Sequence, residues 1–479
     1  MKKLLIIALI PLLIVAGCKR DLSSLNIDPT RPLSVSAAPL FTSATKNMTD
    51  AVTSTNVNQN IFRLVVQYWQ ETTYTDESNY DLNTRQIPRQ MWNSLYRDVI
   101  RDLRESKSLI NNDKLSLNAT EDAAMKKNRR AEAEVLEIYT WYYLVTTFGN
   151  IPYSEALNID KPQPKYDDQQ TIYNDLLTRL DAAIALFDAN YGGFGDADLL
   201  YHDDVAAWKK FANSLKLKMG MTIADADNAK AKATVESAIA SGVFTSNADN
   251  AVFEYMSAPP NTNPIWVDLV QSGRKDFVAA STIVNRMLAL NDPRTDDYFT
   301  TDAVGGYSGG APGASSNYAT FSKPSTTITA PDFNATLMSY SEVEFFLAEA
   351  KERGYTVPGT AVGHYNAAVT ASILEWGGTT SEATTYLLQP GVVYVSANWK
   401  QLIGEQKWIA LYNRGWDAWI EQRRLDAPAL VAPSSALTAY PVRFTYPIPE
   451  QNVNTANYNA AGTALGGDQV TTKLFWDKF

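Results

Sequence analysis

Aromatic and hydrogen-bonding side chains cluster in loop-like parts of this sequence. The segment from Tyr68 to Tyr80 mixes tyrosine and tryptophan with Gln, Glu, Thr, Asp and Asn, and it shows no clear period. A second region contains Trp266, Arg274 and Asp276. A planar ring can stack on a ligand ring, and amides, carboxylates and guanidinium groups can bond to the ligand's edge. These residue types therefore suit non-covalent binding of a sugar.

The glycine-rich run from Val304 to Gly313 is accompanied by Tyr307 and Tyr318. Missing side chains in such a run would let a ligand approach the backbone. Stacking contributes roughly 1–3 kcal/mol per ring in the nucleobase case, so two or three such contacts give micromolar to millimolar affinity. Long loops with Arg and Asn also suit peptides, so the residues leave the ligand class open between oligosaccharide and peptide.

The sequence motifs give little support for a catalytic function. The chain has 52 Asp and Glu, so the count alone does not exclude a glycosidase carboxylate pair. No His-Glu-x-x-His or Walker sequence occurs, and His202 and His364 lie too far apart in sequence to indicate a zinc pair. Asp225-Ala-Asp227 begins like a calcium loop but lacks the glycine and glutamate that follow in one. We therefore predict no catalytic activity, no metal site and no cofactor.

The N-terminus has the layout of a bacterial lipoprotein signal. Two lysines precede an apolar run from Leu4 to Val15, and small residues then lead to Cys18. The run is too short to span a bilayer as a helix. The sequence around Cys18 resembles the lipobox, in which the cysteine thiol is acylated. We therefore expect a signal peptide over residues 1–17, lipidation at Cys18, and a polar tether over residues 18–35.

Composition excludes several further classes of partner and site. The formal net charge is −10 and there is no basic cluster, which argues against nucleic acid as a partner. Cys18 is the only cysteine, so disulfides within the chain and multi-cysteine metal sites are excluded. No apolar run after Cys18 reaches 18 residues, so the sequence predicts no membrane-spanning helix there.

Hydrophobic periodicity predicts a mainly α-helical chain with little β structure. The clearest helix covers Arg129 to Phe148, and Gly149 and Pro152 follow it. A second covers Glu342 to Arg353, with Ser341 and Glu344 as a capping box. A third covers Trp399 to Arg424. Weaker patterns occupy 90–111, 168–188, 203–222, 228–241 and 359–376, and a loop-rich insertion occupies about 245–335. Helix pairs joined by short connections are typical of tetratricopeptide-like α-solenoids, so we expect one domain over 36–479.

Four segments resemble the SusD/RagB family of outer-membrane nutrient-binding lipoproteins. They are Arg130 to Tyr153, with its Phe-Gly-Asn-Ile-Pro-Tyr exit; Leu337 to Ala350; Glu405 to Pro428; and Arg443 to Glu450, followed by Asn454 and Asn457. Their order and spacing match the family over nearly all of the chain after Cys18.

The resemblance implies a fold, a location and a role. It implies tetratricopeptide-like helix pairs packed against a loop-rich half. It also implies a lipid-anchored position on the outer membrane facing the exterior, with oligosaccharide or peptide passed to a SusC/RagA-like TonB-dependent porin. In the family the stretch after the first helices contributes to the ligand face. The candidate ligand-binding residues are Tyr74, Asn79, Tyr80, Trp266, Arg274, Tyr307 and Tyr318. The alternatives are a purely structural tetratricopeptide-like scaffold and a glycoside hydrolase.

Overall fold

The computed structural model describes residues 35–479, and most of these residues lie in helices. The expected signal peptide, Cys18 and nearly all of the tether lie outside the described residues. Residues Ala37–Phe479 form one compact unit. Strands are short and few, so the predicted fold class, mainly α with little β structure, is confirmed.

The helices and strands have the following bounds. The α-helices are α1 Ala37–Thr53, α2 Phe62–Val65, α3 Ile87–Asn93, α4 Arg101–Leu109, α5 Ala119–Phe148, α6 Gln169–Leu186, α7 Val205–Thr222, α8 Asn228–Ser241, α9 Pro264–Trp266, α10 Ser281–Leu290, α11 Thr295–Tyr298, α12 Tyr340–Glu352, α13 Ala361–Glu375, α14 Thr380–Tyr386, α15 Trp399–Ala410, α16 Gly415–Leu425, α17 Glu450–Val453 and α18 Thr455–Leu465. Ser94–Ile100 and Val267–Gln271 are π-helical turns. The strands are β1 Trp69–Glu71, β2 Ile151–Pro152, β3 Tyr166–Asp167, β4 Ala251–Phe253, β5 Phe277–Ala279 and β6 Ala335–Met338.

Neighbouring helices pack as pairs. The most extensive packing joins α12 with α13, α5 with α6, and α7 with α8, and α15 also packs on α16. Further contacts connect α6 with α7, α7 with α12, and α12 with α15, so the pairs form one continuous helical body. This confirms the predicted tetratricopeptide-like helix pairs.

The long helix α5 lies at the centre of this body. Asn118 caps its start, because the Asn118 side chain accepts hydrogen bonds from the amides of Thr120 and Glu121. From Ala131 onward almost every side chain is buried, as the wide apolar face predicts. The helix ends where Gly149 takes a φ of 83°, which favours glycine. It begins about ten residues earlier than its apolar pattern indicated.

Two sequence-based helix boundaries were wrong. The cap of α12 is Ser339, whose side chain accepts from the Glu342 amide. Ser341 lies inside the helix and donates to the Ala368 carbonyl, so the expected capping box does not form. The predicted helix from Trp399 to Arg424 is two helices, α15 and α16, because the chain turns at Asn413 with a φ of 69°.

A network of buried charges ties three helix pairs together. The ammonium group of Lys218 on α7 lies 2.9 Å from the Glu342 carboxylate on α12, and it also pairs with Asp417 on α16. Arg414 bonds to both of these carboxylates at 2.7 Å. Burial alone would lower the pKa of Lys218, but Asp417 and Glu342 outweigh it and leave that pKa raised. Lys218 therefore stays charged at neutral pH inside the core.

Between α8 and α12 the chain forms the loop-rich part expected over about 245–335. It contains β4, β5 and β6 as well as the short helices α9 to α11. Strand β5 pairs with β1, and β6 pairs with β4, each antiparallel. These short ladders attach the long loops to the helical body.

Candidate functional site

Strands β1 and β5 bring together segments about 200 residues apart in sequence. Trp69 pairs with Ala279, and Glu71 pairs with Phe277. The contact continues past β1, where the Thr72 amide donates to the Asp276 carbonyl at 2.8 Å. The segment after Tyr68 and the segment around Arg274, which the sequence analysis proposed separately, therefore lie side by side.

The turn after β1 presents one aromatic ring to solvent. Tyr74 has a φ of 54° and its side chain is 76% exposed. Asn79 and Tyr80 are instead 8% and 2% exposed. Tyr80 packs edge-on against Tyr440, with ring centres 6.1 Å apart. The side chains of Asn79 and Tyr80 thus hold the turn in place, and Tyr74 is its outward-facing ring.

Asn79 connects this turn to the glycine-rich run. Its amide nitrogen donates to the Gly313 carbonyl at 2.9 Å, and its amide oxygen accepts from the Ser435 hydroxyl at 2.6 Å. Gly313 has a φ of 78°, and a Cβ there would lie 2.6 Å from the Asn79 oxygen. Only glycine fits at this position. The run therefore folds against the turn rather than leaving a gap for ligand at this point.

We call the surface formed by residues 72–80, 272–277 and 302–323 the loop face. Arg274 is exposed there and pairs with Asp276 at 2.5 Å. Tyr318 is half-buried and lies near the ammonium groups of Lys275 and Lys323. The loop face therefore combines an exposed ring, a guanidinium–carboxylate pair and two further cations.

The remaining two aromatic candidates lie at different places. Trp266 ends α9, is half-buried and lies outside the main hydrophobic core. Tyr307 packs against that core, and burial together with Asp296 and Asp297 raises its pKa. Tyr307 thus lies near the acidic side chains of α11.

A cleft of about 250 Å³ lies beside the loop face. Its polar lining includes Asp268, Arg274 and Asp276, and its floor includes Phe277. The Thr55 hydroxyl donates to Asp268 at 2.8 Å, and burial raises the pKa of Asp268. The cleft offers acceptors and donors at the edge of an apolar surface, which suits a hydroxyl-bearing ring.

Two acidic side chains lie buried beneath the exposed turn. The Glu71 carboxylate accepts from the Ser78 amide at 2.9 Å and from the Ser78 hydroxyl at 2.5 Å, and Glu77 pairs with Arg85. Burial raises the pKa of Glu71 to about 8, and neighbouring Glu77 adds to the rise. Glu71 is therefore largely protonated at pH 7 and serves the turn as a neutral group.

The sequence analysis missed some residues of this surface. Val431 and Leu437 are 78% and 68% exposed, and the Leu437 amide donates to the Asn79 carbonyl at 2.9 Å. Lys275 and Lys323 were also missed. No local pattern marks these residues, because their segments meet the turn only through contacts distant in sequence.

The described residues show no group of three or more His, Cys, Asp or Glu able to hold a metal ion. His364 bonds instead to Glu344 at 2.6 Å and to the Pro358 carbonyl at 2.7 Å. A larger groove of about 860 Å³ lies between the start of α5 and the end of α6, and its lining combines alanines with Lys127, Tyr191 and Lys209. Among the helices that the structure describes, none is long and apolar enough to cross a membrane.

Comparison with known proteins gives the family. Residues 29–447 match the SusD-like family model, described as starch-binding and associating with the outer membrane. The chain belongs to the SusD-like family. The predicted family is thereby confirmed, and this family's fold agrees with the paired helices described above.

Solved structures of SusD-like proteins share the whole fold. A chitin-binding protein is 25% identical, with a TM-score of 0.80 over 92% of this chain and 100% of its own. A SusD homologue from Bacteroides uniformis is 25% identical, with a TM-score of 0.79 over 92% of this chain and 99% of its own. A chitin-binding SusD homologue from Flavobacterium johnsoniae is 23% identical, with a TM-score of 0.77 over 91% and 98%. No curated protein matches the chain.

Proposed function

We propose that this SusD-like protein is a non-catalytic lipoprotein that captures oligosaccharide at the loop face. The observation that carries the proposal is Tyr74, an exposed ring on a turn fixed from below by Asn79 and Tyr80. Arg274 and Asp276, which line the adjacent cleft, would supply edge hydrogen bonds, and Trp266 is proposed as a second ring. The family description as starch-binding supports a saccharide over a peptide.

The proposal includes a location and a partner. Acylation of Cys18 would hold the chain at the outer membrane, with the loop face toward the exterior. From there the ligand would pass to a SusC/RagA-like TonB-dependent porin. The helical body offers a broad surface for such a partner, and this role is compatible with capture at the loops. Support for the location comes from the lipobox-like sequence and from the family's association with the outer membrane.

Catalysis is not part of the proposal. On the loop face Asp276 pairs with Arg274, buried Glu77 pairs with Arg85, and Asp302 accepts hydrogen bonds within its own turn. A purely structural scaffold would not need an exposed ring such as Tyr74 on a loop held by so many hydrogen bonds. Release of reducing sugar from starch or chitin by the purified protein would contradict the non-catalytic assignment.

Calorimetric titration with a defined saccharide panel tests the function. The full-length protein in detergent is titrated with maltoheptaose, chitohexaose and a mixed peptide pool. We expect saturable micromolar-to-millimolar binding of a saccharide. Tyr74→Ala should weaken it about tenfold, because one stacking contact contributes roughly 1–3 kcal/mol.

Phe479→Ala is the matched control, since Phe479 is an exposed ring at the C-terminus, outside the loop face. It should leave the affinity unchanged. Equal affinities for wild type and Tyr74→Ala would contradict the placement of the site. Binding of peptides alone would contradict the ligand class.

A further inference from the structure

Two lysines lie near the ring of Tyr318, and neither pairs with a carboxylate among the described residues. The Nζ atoms of Lys275 and Lys323 lie 5.7 Å and 5.3 Å from the ring centre. Within the part of the chain that the structure describes, neither lysine forms an ion pair. The adjacent Arg274 is paired with Asp276. The two ammonium charges are therefore left uncompensated in a chain whose net charge is −10.

The backbone on which these lysines stand is held in place. The Lys275 carbonyl accepts from the Thr72 hydroxyl at 2.7 Å. The Lys323 carbonyl accepts from the Thr300 amide at 2.9 Å, and the Lys323 amide donates to the Thr300 hydroxyl at 3.2 Å. The Lys323 ammonium also donates to the Phe321 carbonyl at 2.9 Å. The charges are thus positioned by the same loops that form the loop face.

Asp302, an acidic residue of the same loop, already has hydrogen-bond partners. Asp302 accepts from the amides of Val304 and Gly306 at 3.0 Å each and from the Ser308 hydroxyl at 2.8 Å. Its carboxylate is therefore satisfied within its own turn.

An ammonium group over an aromatic face gains about 0.5–1 kcal/mol at an exposed site, which favours keeping both cations beside the ring.

We infer that Lys275, Lys323 and the Tyr318 hydroxyl form a subsite for an anionic group on the captured saccharide, either a carboxylate or a sulfate ester. The Tyr318 ring would then act through its edge, since cations lie near its face. Charge-assisted hydrogen bonds from the ammonium groups are stronger than neutral ones, so they give preference for an acidic sugar. Two cations are too few for the backbone tracking that nucleic acid requires. This inference rests on the proposed saccharide-binding function.

Matched saccharide pairs test the subsite. Each pair isolates the acidic group: oligogalacturonate against its carboxyl-reduced form, and sulfated against unsulfated chitooligosaccharide. The full-length protein is titrated at low ionic strength. We expect the acidic member of at least one pair to bind roughly tenfold more tightly, with the preference shrinking in salt as charges are screened.

The variant Lys275→Gln/Lys323→Gln should reduce affinity for the acidic member more than for its neutral partner. Lys114→Gln, which changes an exposed lysine before α5, is the control and should keep the acidic preference. Equal affinities within every pair would overturn the subsite while leaving saccharide binding intact. An acidic preference that survives in the double variant would also overturn it. Binding of no saccharide, or of an acidic peptide alone, would overturn both the subsite and the proposed function.

Discussion

At the residue scale, the loop face depends on side chains whose roles follow from burial. Tyr74, Asn79 and Tyr80 come from one aromatic segment, yet one is exposed and two are buried. Glu71 beneath them accepts two hydrogen bonds from Ser78 and carries a raised pKa. In this turn the ring of Tyr74 is therefore available to a ligand, and the buried side chains of Asn79, Tyr80 and Glu71 support it.

Glu71 predicts a pH dependence of stability. Burial raises its pKa from an ordinary 4.5 to about 8 in the folded protein, so the folded state holds a proton that the unfolded state releases. The free energy of unfolding should therefore fall as pH rises from about 4.5 to about 8 and then level off. Glu71→Gln, which mimics the protonated side chain, should lose this part of the fall. Urea denaturation at pH 5, 7 and 9 measures it.

The comparison between variants isolates Glu71 from other titrating groups. Glu105→Gln, which changes an exposed carboxylate on α4, should keep the wild-type pH profile. If Glu71→Gln showed the same profile as wild type, Glu71 would not be the proton-holding group. If the wild type bound saccharide more weakly than Glu71→Gln at pH 9, this would further indicate that the proton on Glu71 maintains the shape of the turn.

At the element scale, the helix pairs are joined by charges as well as apolar contacts. Lys218, Glu342, Asp417 and Arg414 come from three different pairs and lie buried together. Removing one partner of a buried ion pair leaves an uncompensated charge, which is more costly than losing the attraction itself.

Lys218→Met should lower the free energy of unfolding by about 3 kcal/mol, the low end for a broken buried pair, because Arg414 still neutralises part of the acidic charge. Lys216→Met is the matched control two residues away on α7. Lys216 pairs at 2.5 Å with Asp181, whose side chain is 57% exposed, so the loss there should stay below about 1 kcal/mol. Equal losses in the two variants by urea denaturation would contradict a structural role for the buried network.

At the scale of the whole molecule, residues 37–479 form a helical body with one loop-rich face. The helices described here give it no membrane span of their own. We propose that attachment to the outer membrane depends on acylation of Cys18, because the sequence around Cys18 resembles the lipobox.

Replacing Cys18 by serine should move the protein from the membrane fraction to the soluble fraction of fractionated cells. The acyl chains contribute roughly 0.8 kcal/mol per buried CH₂, and the variant would lack all of them. Its saccharide affinity should match that of the wild type, because Cys18 lies far before the loop face in sequence. Membrane retention of Cys18→Ser would contradict the lipid anchor.

The sequence by itself determined the class of fold and the family. Helical periodicity depends on residues three and four apart, so α5, α12 and the pairing of helices were recognisable from local patterns. Predicted helix boundaries were wrong where the apolar pattern continued through a turn, as at Asn413. They were also wrong where two nearby serines were both possible N-caps, as at Ser339 and Ser341.

Only the tertiary structure decided which loop residues form a surface. The sequence placed Tyr74, Asn79 and Tyr80 in one group of candidate ligand-binding residues. In the structure Asn79 is buried and donates a hydrogen bond to the carbonyl of Gly313, which lies 234 residues away. Lys275 and Lys323 likewise lie near Tyr318 only in the folded chain. A loop without a periodic pattern gives no local indication of which distant segments it will contact. Exposure in such loops depends on which distant segment covers each side chain, and that is set only when the whole chain is packed.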